Sequence, residues 1–329
     1  MTQTSKHLKY KSIHTNGYAV VGKGFCFQTS IAILKTRKGV PVIRIAEEAF
    51  AGNTRIESVE IPEGVTSIGA RAFRDCTALH RVLLPSTLET VEAEAFMGCT
   101  ALTEINLPAS LKLLQEGIFE GCTSLQTVNL RQIQEIRRNA FKNCKQLNHV
   151  NIESALEIAD DAFACCSSLS ELKMPNQRCT LSAQAFRDSA IFHTAGLWHD
   201  DLLVVDDWIF ECKSTSERYN IGHEIKGIVS GAFDLGKHVN RTPNPKYEEQ
   251  LAEYEMASFM YWSWYEIPGG AQGPHPGDPP KEYFEEQIPL RIHFDGTLAE
   301  WENIRIPKSN NKFPVELIAA DGSKAISLP

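Results

Sequence analysis

Seven phenylalanines fall at nearly even steps along the chain: Phe50, Phe73, Phe96, Phe119, Phe141, Phe163 and Phe186, each 22 or 23 residues from the next. A fixed period in the low twenties constrains the fold more tightly than composition can. Each period is one coil of a solenoid, too small to bury its own apolar residues, so it buries them against the coils on either side. Such a chain offers an extended surface before it offers a pocket.

The coil can be written from the chain itself. Counting from each phenylalanine, position +3 holds Cys76, Cys99, Cys122, Cys144 and Cys166, and +6 holds Ile56, Leu79, Leu102, Leu125, Leu147 and Leu169. Position +9 holds Val59, Val82, Ile105, Val128, Val150 and Leu172, and +11 holds Ile61, Leu84, Leu107, Leu130, Ile152 and Met174. Proline follows at Pro62, Pro85, Pro108 and Pro175, and a further aliphatic closes the coil at Ile68, Val91, Leu114, Ile136, Ile158 and Leu181.

The +9 and +11 aliphatics alternate with polar residues, the period of two of a short strand. Proline at +12 ends that strand because it cannot donate to a ladder. The stretch before each phenylalanine, such as Gly69-Ala70-Arg71-Ala72 or Glu92-Ala93-Glu94-Ala95, is rich in Ala and Glu and predicts a helical turn. Stacked strands then form a parallel sheet with a spacing of about 4.8 Å per coil.

The unit AFxxCxxLxxVxLPxxLxxI resembles the BspA-like class of leucine-rich repeats, known from bacterial and protist surface-type proteins. The flanks resemble the same family: 17–50 is similar to its entry segment, 196–233 to its strand-rich interruption, and IHFDGTLAEWENI (292–304) to its closing motif. Within the interruption Phe210, Ile221 and Ile228 keep the solenoid phase, and Thr297 with Glu300 has the spacing of a capping box. The expected fold is an α/β leucine-rich-repeat solenoid of about eight coils, with a parallel sheet on one face, short helical turns on the other and a helical insertion near the C-terminus. The expected divisions are a strand-rich N-terminal cap (1–42), the repeats (43–190), an interrupted strand-rich coil (191–236), a helical insertion with a Pro/Gly loop (237–287) and a closing coil with a C-terminal cap (288–329).

Composition narrows the function. A net charge of −8 with no block of Lys and Arg argues against nucleic acid as a partner, and no run approaches the roughly 20 apolar residues of a membrane span. The first residues, MTQTSKHLKYKSIHTNGYAV, lack the apolar core of a secretory signal. Read with the free thiols, that start points to the cytoplasm, whereas the family resemblance implies a cell surface or secreted location. Five of the nine cysteines form the +3 ladder, where a small, soft, buried residue suits the coil. Stacked side chains point the same way, so a disulfide framework is not expected. Neither a cofactor nor a metal is expected, and the chain is expected to be a monomer.

One constellation invites an enzymatic reading. His199, Asp200, Asp201, Asp206 and Asp207 gather carboxylates near a histidine, which would suit a hydrolase or a metal-dependent enzyme. The oxygen ladder with a glycine turn that calcium loops require is missing, and no GxSxG, HExxH, P-loop or GxGxxG motif occurs. A solvated turn is the simpler expectation.

Binding is the favoured class, for a protein or glycan partner, and it is also what the resemblance implies. On the strand, +8 and +10 point opposite to the buried pair. This places Arg81, Glu104, Thr127, His149 and Glu171 in one outward row, and Leu83, Asn106, Asn129, Asn151 and Lys173 in the next. A secondary candidate is the insertion, about 50 residues of which break the repeat. Its stretch KYEEQLAEYEMASFMYWSWYEI follows Asn244-Pro245, a helix-starting pair, and carries Trp262 and Trp264 on an aromatic face. That helix either packs on the solenoid or binds a partner.

Overall fold

The computed structural model describes residues 7–13, 17–24 and 27–176, most of 179–232, short runs between 239 and 254, and most of 283–328. The coils stack as the phenylalanine period requires. Six successive ring pairs from Phe50 to Phe186 lie 5.1 to 5.6 Å apart and within 22° of parallel. Phe73, Phe96, Phe119, Phe141 and Phe163 are wholly buried, together with the aliphatics at +6 and +18 around them. Phe210 keeps the phase but turns its ring to 63° against Phe186, an edge-to-face contact in place of a stack.

Two parallel sheets flank this core. The +8 to +10 strands pair in register as Ser30–Ala32, Ser58–Glu60 and Arg81–Leu83, and again as Glu104–Ile105, Thr127–Val128, His149–Asn151 and Glu171–Lys173. Further on, Arg218–Ile221, Leu290–Phe294 and Phe313–Ala319 continue in parallel, with Tyr219 opposite Ile292. Three, four and three strands make ten rungs among the described residues, more than the expected eight. The difference arises because the entry and closing segments contribute strands of their own. The residues at +17 and +18, or at +16 and +17 in the two shorter coils, form the second sheet, for example Leu113–Leu114, Glu135–Ile136, Glu157–Ile158 and Thr180–Leu181. An antiparallel strand pair, Lys9–Ile13 with Gly17–Gly22, covers the first end, and Gly322–Leu328 folds back antiparallel on Phe313–Ala319 at the other.

The third side corrects the expected helical turns. Two residues beside each phenylalanine from Phe50 to Phe163, and the +2 residue beside Phe186, adopt a left-handed backbone. At −2 these are Glu48, Arg71, Glu94, Gly117, Asn139 and Asp161, with φ of 53 to 60°, and at +2 they are Gly52, Asp75, Gly98, Gly121, Asn143, Cys165 and Asp188, with φ of 57 to 73°. A left-handed residue at the third position of a turn stops helix propagation. At Gly98, with φ of 72°, glycine meets this requirement without strain.

The backbone donors then serve the next coil instead of their own. Arg71 N, Phe73 N and Asp75 N donate to the carbonyls of Ala93, Ala95 and Met97 at 2.7 to 3.0 Å, and the pattern repeats down the stack. The propensity of Ala and Glu for helix is overridden by these inter-coil bonds.

The α/β label is therefore not sustained by the described residues. Their helical content is a four-residue α-helix, Leu298–Trp301, two short 3-10 segments, Ala190–His193 and Ala195–Leu197, and isolated helical residues between 250 and 254. The rest of the expected insertion helix, including Trp262 and Trp264, lies outside the described residues. The capping box is present: Glu300 N donates to Thr297 Oγ1 at 3.2 Å and Thr297 N to Glu300 Oε2 at 2.7 Å.

The cysteine ladder has a more specific role than filling space. Cys76, Cys99, Cys122, Cys144 and Cys166 each donate Sγ–H to the carbonyl of the phenylalanine one coil earlier, at 3.2 Å. All are free thiols, and burial pushes Cys76, Cys122 and Cys166 up to about 12. They are inert structural thiols.

Candidate functional site

The strands bring the two outward rows onto one face. Arg81, Leu83, Glu104, Asn106, Thr127, Asn129, His149 and Glu171 are exposed, whereas Asn151 and Lys173 are half-buried. In register, Glu104 lies beside Thr127, Thr127 beside His149, His149 beside Glu171, and Asn151 beside Lys173. His149 Nδ1 comes within 3.5 Å of Glu171 Oε2.

An open depression of about 260 Å³ lies on this face over three consecutive coils. Six of the expected residues line it: Glu104, Asn106, Thr127, Asn129, His149 and Asn151. Arg131 joins them and was missed, although the sequence carried a signal for it. Position +12 of that coil holds Arg131 where the regular coils hold proline.

The next coil departs in the same way, with Glu153 at +12, and the spacings from Phe119 and from Phe141 are the two of 22 residues. Without proline, each strand stops through an asparagine turn. Asn129 Oδ1 accepts from Arg131 N at 3.2 Å, and Asn151 Oδ1 accepts from Glu153 N at 3.1 Å. Asn151 Nδ2 also donates to Glu153 Oε2 at 3.0 Å, so its amide is committed. Asn106 precedes Leu107-Pro108 and needs no such turn.

Lys173 is removed from the free surface. Its Nζ donates to Asp206 Oδ1 at 2.9 Å, and that hydrogen bond raises the lysine pKa above its usual value. Asp206 Oδ2 in turn accepts from Met174 N at 2.7 Å. Asp206 and Asp207, with φ of 47 and 64°, form the two-residue turn that joins Leu202–Val205 to Trp208–Cys212. Asp207 pairs with Lys226 at 2.6 Å. Asp206 fastens the interrupted coil to the coil before it, and Asp207 ties that coil to itself. His199 is exposed on Trp198–His199, and Asp200 and Asp201 lie outside the described residues. Among the described residues no three His, Cys, Asp or Glu side chains converge as metal ligands.

The repeat unit is matched by the family model described as BspA type leucine rich repeat region, in six copies over residues 43–164 and 134–259. The chain belongs to the BspA-type leucine-rich-repeat family. A leucine-rich-repeat protein of T. pallidum is 29% identical, with a TM-score of 0.50 over 54% of this chain and 84% of that one. A leucine-rich cell surface protein from Faecalibacterium prausnitzii is 19% identical, with a TM-score of 0.45 over 71% of this chain and 73% of that one. No curated protein matches the chain. Within the BspA-type frame the depression sits where two successive coils abandon the repeat's own rule. No helix among the described residues is long and apolar enough to cross a membrane.

Proposed function

We propose that this BspA-type chain is a non-enzymatic binding scaffold for a protein or glycan partner, engaged through the outward face of the +8 to +10 sheet. The observation that carries the reading is the depression lined by Glu104, Asn106, Thr127, Asn129, Arg131 and His149, polar side chains drawn from three coils and held by regular strands. Rigid scaffolding beneath adaptable polar groups is how a solenoid face meets a partner. Asp206 and Asp207 weigh against the hydrolytic alternative, because both are already paired with lysines.

The test is a screen of the full chain against immobilised oligosaccharides and an unbiased peptide library, repeated with Asn106, Asn129 and His149 all changed to Ala. Binding should fall about tenfold or more in the triple variant while the chain stays folded by far-UV circular dichroism. Retained binding would remove the sheet face from the account. Hydrolytic turnover lost in Asp201→Ala would replace the scaffold by an enzyme.

A further inference from the structure

We infer that the depression over Asn106, Thr127 and Asn129 is a subsite for a short, uncharged, hydroxyl-rich ligand, a neutral oligosaccharide. This rests on the sheet-face reading above and narrows it. Three independent features lead there.

The first is which polar atoms remain uncommitted. Asn129 uses its Oδ1 on Arg131 N, its Nδ2 makes no hydrogen bond among the described residues, and neither does the Asn106 side chain. Arg131 has no carboxylate within ion-pairing distance among the described residues, and neither has Arg81. A carboxamide presents a donor and an acceptor side by side, and a guanidinium or a carboxylate presents a matched pair of like atoms. Adjacent hydroxyls on a sugar ring answer all three. The second is charge. The lining holds one carboxylate, Glu104, and one guanidinium, Arg131, so it favours neither an anion nor a cation. The third is that the lining holds neither Trp nor Tyr, which with Arg are the residues on which protein interfaces concentrate their energy, so Arg131 is the single anchor type present.

The strand ladder also ends early at this place. Ile61 N donates to Leu83 O at 3.0 Å and Ile152 N to Lys173 O at 2.9 Å. Among the described residues the equivalent bonds from Leu84 to Asn106, from Leu107 to Asn129 and from Leu130 to Asn151 are missing. The departures from proline and from the 23-residue step occur in the coils that border the opening, where a ligand would profit from the space.

The experiment measures binding of the full chain to soluble neutral oligosaccharides of gluco-, galacto-, manno- and chito- types by calorimetry. It is run from about 50 mM to about 500 mM salt, because screening separates charge-driven from neutral recognition. The variants are Asn106→Thr with Asn129→Thr, and separately Arg131→Gln, all exposed positions. The inference requires at least one of these sugars to bind, with little dependence on salt, and to lose about tenfold or more in the double variant with the chain still folded by far-UV circular dichroism. It is overturned if none binds, or if binding collapses with salt. Peptides that bind and are lost in the double variant would overturn the neutral glycan while keeping the sheet-face scaffold. Ligands that bind both variants as well as the parent would overturn both readings together.

Discussion

Truncating Phe96 to Ala tests the stacked core where it is most continuous. The ring is wholly buried, 5.3 Å from Phe73 at 3° and 5.6 Å from Phe119 at 12°. Buried Phe→Ala changes cost about 3–5 kcal/mol, the sum of lost transfer and an unfilled cavity. Phe96 sits toward the upper part of that range, because each stacked pair contributes about 0.5–1.5 kcal/mol beyond its buried area. Collapse cannot relieve the cavity cheaply, since Phe73 N and Phe96 N are tied by backbone bonds to Ala95 O and Ile118 O. Phe50 has one stacked neighbour in the ladder, so Phe50→Ala should cost less by about one such contact, roughly 0.5–1.5 kcal/mol. Urea unfolding followed by far-UV circular dichroism gives both numbers from the midpoint and slope. A loss below about 1 kcal/mol for Phe96→Ala, the range of a surface change, would refute the reasoning. So would an equal or larger loss at Phe50.

Further outcomes follow from single groups. The +3 thiols should resist alkylation in the native state even at about pH 9, because burial holds Cys76, Cys122 and Cys166 at about 12, and should react on unfolding; rapid native labelling of Cys122 would contradict this. Asp161 is buried against Arg187 and Lys142, whose hydrogen bonds and charges hold its carboxyl below the ordinary value. A depressed folded pKa contributes stability that is present above about pH 4, the unfolded value, and is lost as pH falls through the folded one. Acid titration of Asp161→Asn should therefore show a flatter stability loss in that window, and an unchanged curve would remove the pair from the account. Asp206→Ala should release Met174 N and Lys173, and amide exchange should show faster opening at 172–174 and 202–210 with the coils before Phe141 unchanged.

How much of this was legible in the chain depends on what each residue answers to. The core was readable because Phe, Leu and Ile at fixed offsets answer only to burial, and those slots are buried as expected apart from Leu84, which is half-buried. The turn side was not. Ala and Glu around Arg71 and Glu94 carry helix propensity, but the competing demand is to give alternate N–H groups to the next coil, and the left-handed φ at −2 and +2 records that demand. Glycine at 98 and 121 was the available clue, shared with Asp75 and Asn143 at the same slot, residue types that tolerate the left-handed region. On the sheet face, alternation gave the outward rows correctly, yet alternation says nothing of partners, so the capture of Lys173 by Asp206 could not be read from spacing. Arg131 was visible only as an exception, the loss of proline in a coil one residue short.

The account turns on where a ligand lands. Amide hydrogen exchange of the full chain, with and without the first oligosaccharide or peptide found to bind, reads this directly. The account predicts new protection at 104–107, 127–131 and 149–151, with the stack elsewhere unchanged. Protection confined to 246–267 or to 198–212, leaving those strands as they were, would contradict it.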